Sequence, residues 1–374
     1  MNNLNQLPES DEVNATTLAR IFDEVTTSYK FLFFLALLDG AERNCFDTSI
    51  PLSMKEIVLD MLVLAWYPHV YFRLSFGKQD KIANQLDKTA SLAFAKKHSI
   101  HPWDKSAIRQ MISLGVPDDT LLRFVPYRLI RPFFPETRGM KKDHEVNLRV
   151  AELCDQYFTS RKPPPYRFDS SRSKIFFHPA WCTYLKQNLA VVRGWAWWNF
   201  LHYMQRCNPN VPAIAGKLSA PPERESLQLQ TKFWREVLAA TDYRCIYSGE
   251  LISESDFALD HFIPWSFVVH NQLWNLIPTS TSVNSQKSDR LPSYDYLDAF
   301  ISAQHDAITR TRAAFSPKIW EGYVGCFITD LGLPDYEALF NRERLQKAYE
   351  TNMLPMLQLA EANGFEPAWI YSKH

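Results

Sequence analysis

Residues 259–292 combine side chains that could carry out hydrolytic chemistry. They read LDHFIPWSFVVHNQLWNLIPTSTSVNSQKSDRLP, with Asp260 and His261 at the end of an apolar run. Asn275 follows fourteen residues after His261, and Asn284 follows nine residues later. An imidazole, a carboxylate and amide oxygens at such spacing could surround one phosphate and one hard cation.

Each residue type suits one task in the cleavage of a phosphodiester. A neutral imidazole, with an ordinary pKa of about 6.5, can take a proton from water, so His261 is the candidate general base. Mg²⁺ prefers oxygen ligands, so Asp260 and Asn284 are candidate metal ligands. Neighbours in a regular strand point to opposite faces, so Asp260 can serve the same phosphate as His261 only where the strand ends or twists.

Three more residues have supporting tasks. Lys287 and Arg290 follow Asn284 by three and six residues on the same predicted helix, from which they could reach phosphate oxygens. Asn275 lies in a predicted loop, where we expect its side chain to bond the backbone and hold the His261 segment in place. Its expected role is therefore positional.

The motifs DHFIPWSF, LWNLIP and VNSQKSDRLP resemble the HNH nuclease family, the ββα-metal fold, in its His-Asn-Asn form. Their spacing and the N-x-x-K-S-D ending are similar to the HNH domain of RNA-guided CRISPR nucleases. The likeness covers roughly residues 240–300. It implies Mg²⁺-dependent DNA cleavage, with His261 as base, Asp260 and Asn284 as ligands and Asn275 as loop support. Mn²⁺ and RNA are the alternative ion and substrate.

Two departures from the family pattern concern metals. Many members carry two CxxC pairs that bind zinc, whereas this chain keeps only Cys245-Ile-Tyr-Ser248, so no structural zinc is expected. Its six cysteines lie far apart with no CxxC pair, which favours reduced thiols and a cytoplasmic location. The last motif position is Asn284 instead of His, which in this family goes with Mg²⁺.

The elements that must position these residues can be read from periodicity and turn signals. YRCIYS and FALDHF are predicted as the two strands of a hairpin, and a helix is predicted to begin at SVNSQKSD. An amphipathic helix, ERESLQLQTKFWREVLAATD, precedes them. Further helices are predicted at about 294–314 and 335–362.

The part before residue 208 reads as mostly helical. With SYKFLFFLALLD near its start and NPNVP just before the nuclease motif, it resembles a group of bacterial HNH proteins of uncharacterised biology. Helices are predicted at about 15–38, 53–74, 79–98, 104–115, 143–158 and 181–208, and short strands at about 126–134 and 174–178. The segment 208–226 has four prolines and no periodicity, so it is predicted to be a linker.

The predicted fold is therefore mainly α with a small α+β part. We predict a helical recognition or interaction domain at 1–207, a linker at 208–226, an HNH nuclease domain at 227–300 and a C-terminal helical extension at 301–374. The most apolar run, FLFFLALL, is far shorter than the roughly 20 residues that a membrane span needs. The acidic start of the chain also differs from a secretory signal.

Formal net charge is zero, but the charges are unevenly distributed. Residues 1–60 carry ten acidic and four basic side chains, so the N-terminal helices are a candidate surface for a protein partner. Residues 123–174 carry twelve basic and six acidic side chains interleaved with aromatics, a pattern that suits a phosphate backbone with accessible bases. As a signal for nucleic-acid binding it is weak, and an ordinary solvated face with aromatic core contacts is the favoured alternative. Within that stretch the candidate contacts are Arg161, Lys162 and Arg167.

Three functions remain open at this point. The first is a metal-dependent endonuclease in restriction or antiphage defence, and the second is a nucleic-acid-binding protein that keeps the nuclease fold without cutting. The third is a subunit of a larger defence complex whose nuclease waits for a trigger. The sequence does not predict an oligomeric state.

Overall fold

The computed structural model describes residues 6–95, 105–115, 119–220 and 225–373. The chain is mainly helical with a few short strands, as the sequence predicts. Its contacts divide it into two compact units, Met1–Pro209 with Ile214–Pro221, and Asn210–Ala213 with Pro222–His374. Within the described ranges, no helix is both long and apolar enough to cross a membrane.

The first unit is helical with one small sheet. Its helices are α1 (Ala15–Leu18), α2 (Tyr29–Arg43), α3 (Met54–Trp66), α4 (Ile82–Ala95), α5 (Lys105–Leu114), α6 (Val125–Ile130), α7 (Asp143–Tyr157) and α8 (Pro179–Cys207). Its strands are β1 (Leu52–Ser53), β2 (Tyr166–Phe168) and β3 (Lys174–Phe177), all antiparallel in the order β1-β3-β2. Helix α2 packs against α3 and α8, and the rings of Phe22, Phe34 and Trp195 meet in this core.

The helix predicted at 15–38 is two helices, α1 and α2, joined by a turn. Ser28 donates both its N–H and its hydroxyl to Asp80 Oδ2, at 2.8 and 2.6 Å. The Lys30 ammonium donates to the main-chain oxygen of Ile21 at 3.0 Å. A continuous helix would provide hydrogen-bond partners for the backbone here. Where the helix is interrupted, these bonds provide partners instead.

The strand predicted at 126–134 is wrong. These residues lie in α6 and the following 3₁₀ turn, Arg131–Phe133, and Pro126 occupies the first turn of α6, where proline is compatible with a helix. The predicted strand near 174–178 is β3, and the predicted helix at 143–158 is α7. Helices α4 and α5 carry the described part of the helices predicted at 79–98 and 104–115, while residues 96–104 lie outside the described residues.

The second unit contains a strand-strand-helix core flanked by helices. Its elements are α9 (Gln228–Ala239), β4 (Ala258–His261), α10 (Trp265–Val268), β5 (Leu276–Thr279), α11 (Thr281–Lys287), α12 (Leu297–Ala314), α13 (Pro317–Leu331) and α14 (Arg342–Ala362). Strands β4 and β5 are antiparallel, with Asp260 opposite Ile277 and His261 opposite Leu276. Helix α11 packs against β4.

The predicted hairpin of YRCIYS with FALDHF is wrong, because β4 pairs with β5 instead. The YRCIYS segment turns back on itself: Gly249 donates its N–H to the Cys245 oxygen at 2.9 Å, and Gly249 has a φ of +71°. Positive φ suits glycine, so the chain reverses before a strand can extend. No strand was predicted at Leu276–Thr279, which forms the fully buried strand β5 directly after Asn275.

The C-terminal helices pack behind β5 in the same unit, whereas the sequence prediction separated 227–300 from 301–374. Gln304 of α12 donates to the main-chain oxygen of Leu276 at 2.8 Å. Trp274 donates its indole N–H to Asp330 of α13 at 2.7 Å, and Tyr349 of α14 donates to the Trp274 oxygen at 2.9 Å. Helix α13 was not predicted.

Lys217 in the first unit provides a test of buried charge. It is wholly buried, and burial lowers its pKa from 10.5 to about 7. Because the unfolded chain binds this proton up to about pH 10 and the folded unit releases it near pH 7, Lys217 should reduce stability at neutral pH, and the reduction should disappear as pH rises toward 10.

We therefore expect wild type to gain free energy of unfolding relative to Lys217→Met between pH 7 and pH 10, by a few kcal/mol at most. Urea unfolding of both proteins across this range measures the difference, in which other titrating groups cancel. A difference that does not change with pH would contradict this account of Lys217.

Candidate active site

Asp260 is one of three predicted site residues that are buried, together with Asn275 and Lys287. Its side chain is 2% exposed, Tyr247 donates its hydroxyl to Oδ2 at 2.7 Å, and the Lys287 ammonium donates to Oδ1 at 3.1 Å. Burial raises the pKa of the Asp260 carboxyl and lowers the pKa of the Lys287 ammonium, and each partner's charge acts in the opposite direction. The two residues form a buried ion pair completed by a phenol.

Lys287 lies inside the unit and does not face a surface phosphate. Its side chain has no exposed area, and its ammonium also donates to the main-chain oxygen of His261 at 2.7 Å. The predicted phosphate contact of Lys287 is therefore wrong for this arrangement. A buried ammonium needs a carboxylate and carbonyls around it, and Asp260 and His261 provide them.

His261 occupies the other face of β4 and is half-buried. Its Nε2 lies 3.0 Å from Asn271 Oδ1. Asn271 Nδ2 donates to the main-chain oxygen of Glu225 at 3.1 Å, and Gln230 donates to the Asn271 main-chain oxygen at 2.9 Å. Since the amide nitrogen of Asn271 faces a carbonyl, its oxygen faces the ring, so Nε2 carries the proton in this contact. The bonding pattern thus selects one tautomer of His261.

Asn275 is buried and clamps the chain directly after β4. Its side-chain oxygen accepts from the Ile263 N–H, and its side-chain nitrogen donates to the Ile263 oxygen, both at 2.8 Å. Its main-chain oxygen also accepts from the Phe262 N–H at 2.9 Å. This is the backbone bonding expected of a positioning residue, and its effect on activity stays a prediction.

Asn284 lies in the middle of α11, whereas Arg290 lies beyond the end of that helix, so the prediction that Arg290 shares a helix with Asn284 is wrong. Asn284 is half-buried on α11. The Arg290 guanidinium lies 5.7 Å from the ring centre of Trp369 and donates to the main-chain oxygen of Gln286. Arg290 is thereby held against the C-terminal segment, and its contact with phosphate stays a prediction.

The other three predicted residues belong to the first unit. Arg161, Lys162 and Arg167 are exposed, and the Arg167 guanidinium lies 4.6 Å from the Phe158 ring centre. Some basic residues of this stretch are engaged locally: Arg128 pairs with Asp143, Lys142 with Glu145 and Arg149 with Glu152.

The side chains around Asp260 fit a divalent ion poorly in this arrangement. Both carboxylate oxygens already have partners, and the Lys287 ammonium occupies the cation's place at Oδ1. Across the described residues, no group of three or more His, Cys, Asp and Glu side chains could hold a metal ion. Asn284 offers a suitable oxygen. An ion bound at Asp260 would have to displace Lys287 or share the carboxylate with it.

Sequence reasoning missed Tyr247 and Asn271. Tyr247 lies in the turn that was predicted as a strand, so its contact with Asp260 could not be anticipated from alternation. Asn271 stands in the polar stretch HNQ between apolar segments, ten residues after His261. The polar character of Asn271 between two apolar segments was the only signal in the sequence. Its contact with the His261 ring depends on how the loop folds.

Residues 245–293 match a family model described as HNH endonuclease. The match spans Tyr247, both strands of the pair and α11, so the chain carries an HNH endonuclease domain in its C-terminal half, and the resemblance is confirmed at the level of this domain. A nuclease acting on nucleic acid is the activity that this domain indicates. No curated protein and no solved structure matches the chain significantly.

The buried pair gives a stability prediction. Lys287→Met leaves Asp260 without its counter-charge and should cost about 3–5 kcal/mol of unfolding free energy, whereas Lys287→Met with Asp260→Leu should be more stable than either single variant. Urea unfolding measures each value. Lys373→Ala, which removes an exposed pair with Glu250, is the control and should cost at most about 1 kcal/mol. A cost for Lys287→Met no larger than this control would contradict the buried-pair account.

Proposed function

We propose that this protein is an endonuclease that hydrolyses phosphodiester bonds of DNA at the site around His261. The observation that carries the proposal is the bonded series from Glu225 through Asn271 to His261. With the proton on Nε2, the Nδ1 nitrogen is the one that can take a proton from water. The HNH domain match supports the same reaction class.

Within this proposal, the residues have separate tasks. His261 removes a proton from the attacking water, and Asn271 holds the ring and its tautomer. Asn275 fixes the backbone that follows the ring, since its amide bonds both main-chain groups of Ile263. A correctly oriented base contributes about 10²–10⁴-fold to such a reaction.

Dependence on a divalent ion, with Mg²⁺ first and Mn²⁺ second, is part of the proposal. Its support is the chemistry of HNH nucleases and the oxygen that Asn284 offers. The bonding of Asp260 to Lys287 and Tyr247 weighs against a ligand role for Asp260 in this arrangement. A titration of cleavage with each ion tests this part separately.

The same buried pair favours a second candidate function. If Lys287 permanently occupies the Asp260 carboxylate, the fold could bind nucleic acid without cutting it, or it could be held inactive inside a larger defence complex until a partner rearranges it. The acidic N-terminal helices are the proposed surface for such a partner. Restriction or antiphage defence is the proposed setting, and a cytoplasmic location is proposed with it.

The direct test is incubation of supercoiled, linear and single-stranded DNA, and of RNA, with the pure protein and Mg²⁺ or Mn²⁺. We expect His261→Ala to slow cleavage by about 100-fold or more, and Asn271→Ala by about 10-fold, because the second variant keeps the base but loosens it. His305→Ala is a matched control, since His305 contacts the Phe340 carbonyl away from this site. Wild type that cuts none of these substrates would favour the second candidate.

Nucleic-acid affinity is proposed to come mainly from the first unit. Changing Arg161, Lys162 and Arg167 together to Gln should weaken DNA binding and reduce the slope of log affinity against log salt by up to about 3, since each phosphate contact releases a counterion. Fluorescence anisotropy at several salt concentrations measures both. The control changes the exposed residues Lys55, Lys78 and Lys186 to Gln, which lowers net charge equally. Equal effects of the two triple variants would contradict the proposal that Arg161, Lys162 and Arg167 contact DNA.

A further inference from the structure

The last residues of the chain pair with the segment that follows α11. Leu291 donates its N–H to the Glu366 oxygen at 2.8 Å, Trp369 donates to the Leu291 oxygen at 2.9 Å, and Ser293 donates to the Trp369 oxygen at 2.9 Å. Phe365, which is 1% exposed, anchors the start of this tail against the Phe267 ring. Residues 365–373, named here the C-terminal tail, are thus bonded to the end of the HNH segment.

Trp369 is the side chain by which the tail reaches the site. It is 6% exposed, and its ring centre lies 5.3 Å from that of Tyr247 at an interplanar angle of 74°. Tyr296 packs on both rings, and the Arg290 guanidinium lies over Trp369. Edge-to-face aromatic contacts and a cation over a ring are each attractive, so Trp369 fixes two neighbours at once.

Both neighbours belong to the HNH domain. Tyr247 donates to Asp260 Oδ2, and Arg290 follows the last turn of α11, which carries Lys287. Loss of the Trp369 ring would open a space beside Tyr247 and free its ring to move. Because two donors among the described residues fix the Asp260 carboxylate, a displaced phenol would change the carboxylate position and its exposure to water.

We propose that Trp369, outside the matched residues 245–293, is a positioning residue of the nuclease site. It holds the Tyr247 hydroxyl on Asp260 and thereby fixes the Asp260–Lys287 pair. The effect on catalysis rests on the proposed nuclease function, whereas the effect on the pair does not. The tail is then part of the active domain.

The activity test compares Trp369→Ala, Tyr247→Phe and the double variant in steady-state cleavage. We expect Trp369→Ala to lower kcat by about 10–100-fold with KM for DNA changed less than about threefold, because Lys287 also bonds the main-chain oxygen of His261 and a displaced pair would move the candidate base. Trp369→Phe should recover most of kcat, since it retains an aromatic ring. The double variant should be no slower than the slower single variant, because Trp369 acts through Tyr247.

Two controls separate positioning from general destabilisation. Trp320→Ala removes another buried tryptophan of the same unit, stacked on Phe340 with Arg312 over its ring. Ile370→Ala changes an exposed neighbour in the tail. At a temperature where all variants are folded, both controls should keep kcat within about threefold. A kcat for Trp369→Ala equal to that of wild type or of Trp320→Ala would overturn the proposal.

A second readout does not depend on cleavage. The Lys287 ammonium, buried in wild type, should give a slowly exchanging ¹⁵N side-chain signal, assigned by its loss in Lys287→Arg. We expect Trp369→Ala to remove its protection and Trp320→Ala to leave it. If wild type cuts nothing but protection is still lost in Trp369→Ala, the proposed function fails and the positioning role stands. Retained protection in Trp369→Ala would overturn the positioning role.

Discussion

The buried Asp260–Lys287 pair is the interaction on which the arrangement of the HNH domain depends. Removing two charges from water costs several kcal/mol for each, and only close partners can offset that cost. Here the Lys287 ammonium donates to one oxygen of the Asp260 carboxylate and to the main-chain oxygen of His261. Tyr247 donates its hydroxyl to the second carboxylate oxygen. Helix α11 is thus tied to β4 at the strand end that carries the candidate base.

Neutral amides do the remaining positioning. Asn275 bonds both main-chain groups of Ile263, so the chain leaves β4 in one direction, and Asn271 fixes the ring of His261 from the other side. Both work because an amide is a donor and an acceptor together, which a carboxylate is not. Gln304 and Tyr349 act as donors only, each to a main-chain oxygen at or next to β5, so the C-terminal helices support the strand that pairs with the site.

Charge is used differently in the two units. In the HNH domain the cations in and just after α11 contact protein groups: Lys287 is buried, and the half-buried Arg290 lies over Trp369. In the first unit, acidic residues that the sequence offered as a partner surface are partly neutralised, since Arg193 pairs with Asp39 and Glu42. Counting charges along a sequence therefore overstates what each surface presents to a partner.

The sequence by itself determined the mainly helical class, the HNH motif and the order of its residues, because periodicity and spacing are local properties. It predicted the wrong partner for β4, since pairing depends on which buried run meets the strand, and it predicted no strand at LIPT. It also assigned Lys287 to the surface. Only the tertiary structure decided that Lys287 turns inward, that Tyr247 and Asn271 reach Asp260 and His261, and that Trp369 joins them. Each of these contacts joins residues distant in the sequence, and their energies depend on burial, which no local pattern contains.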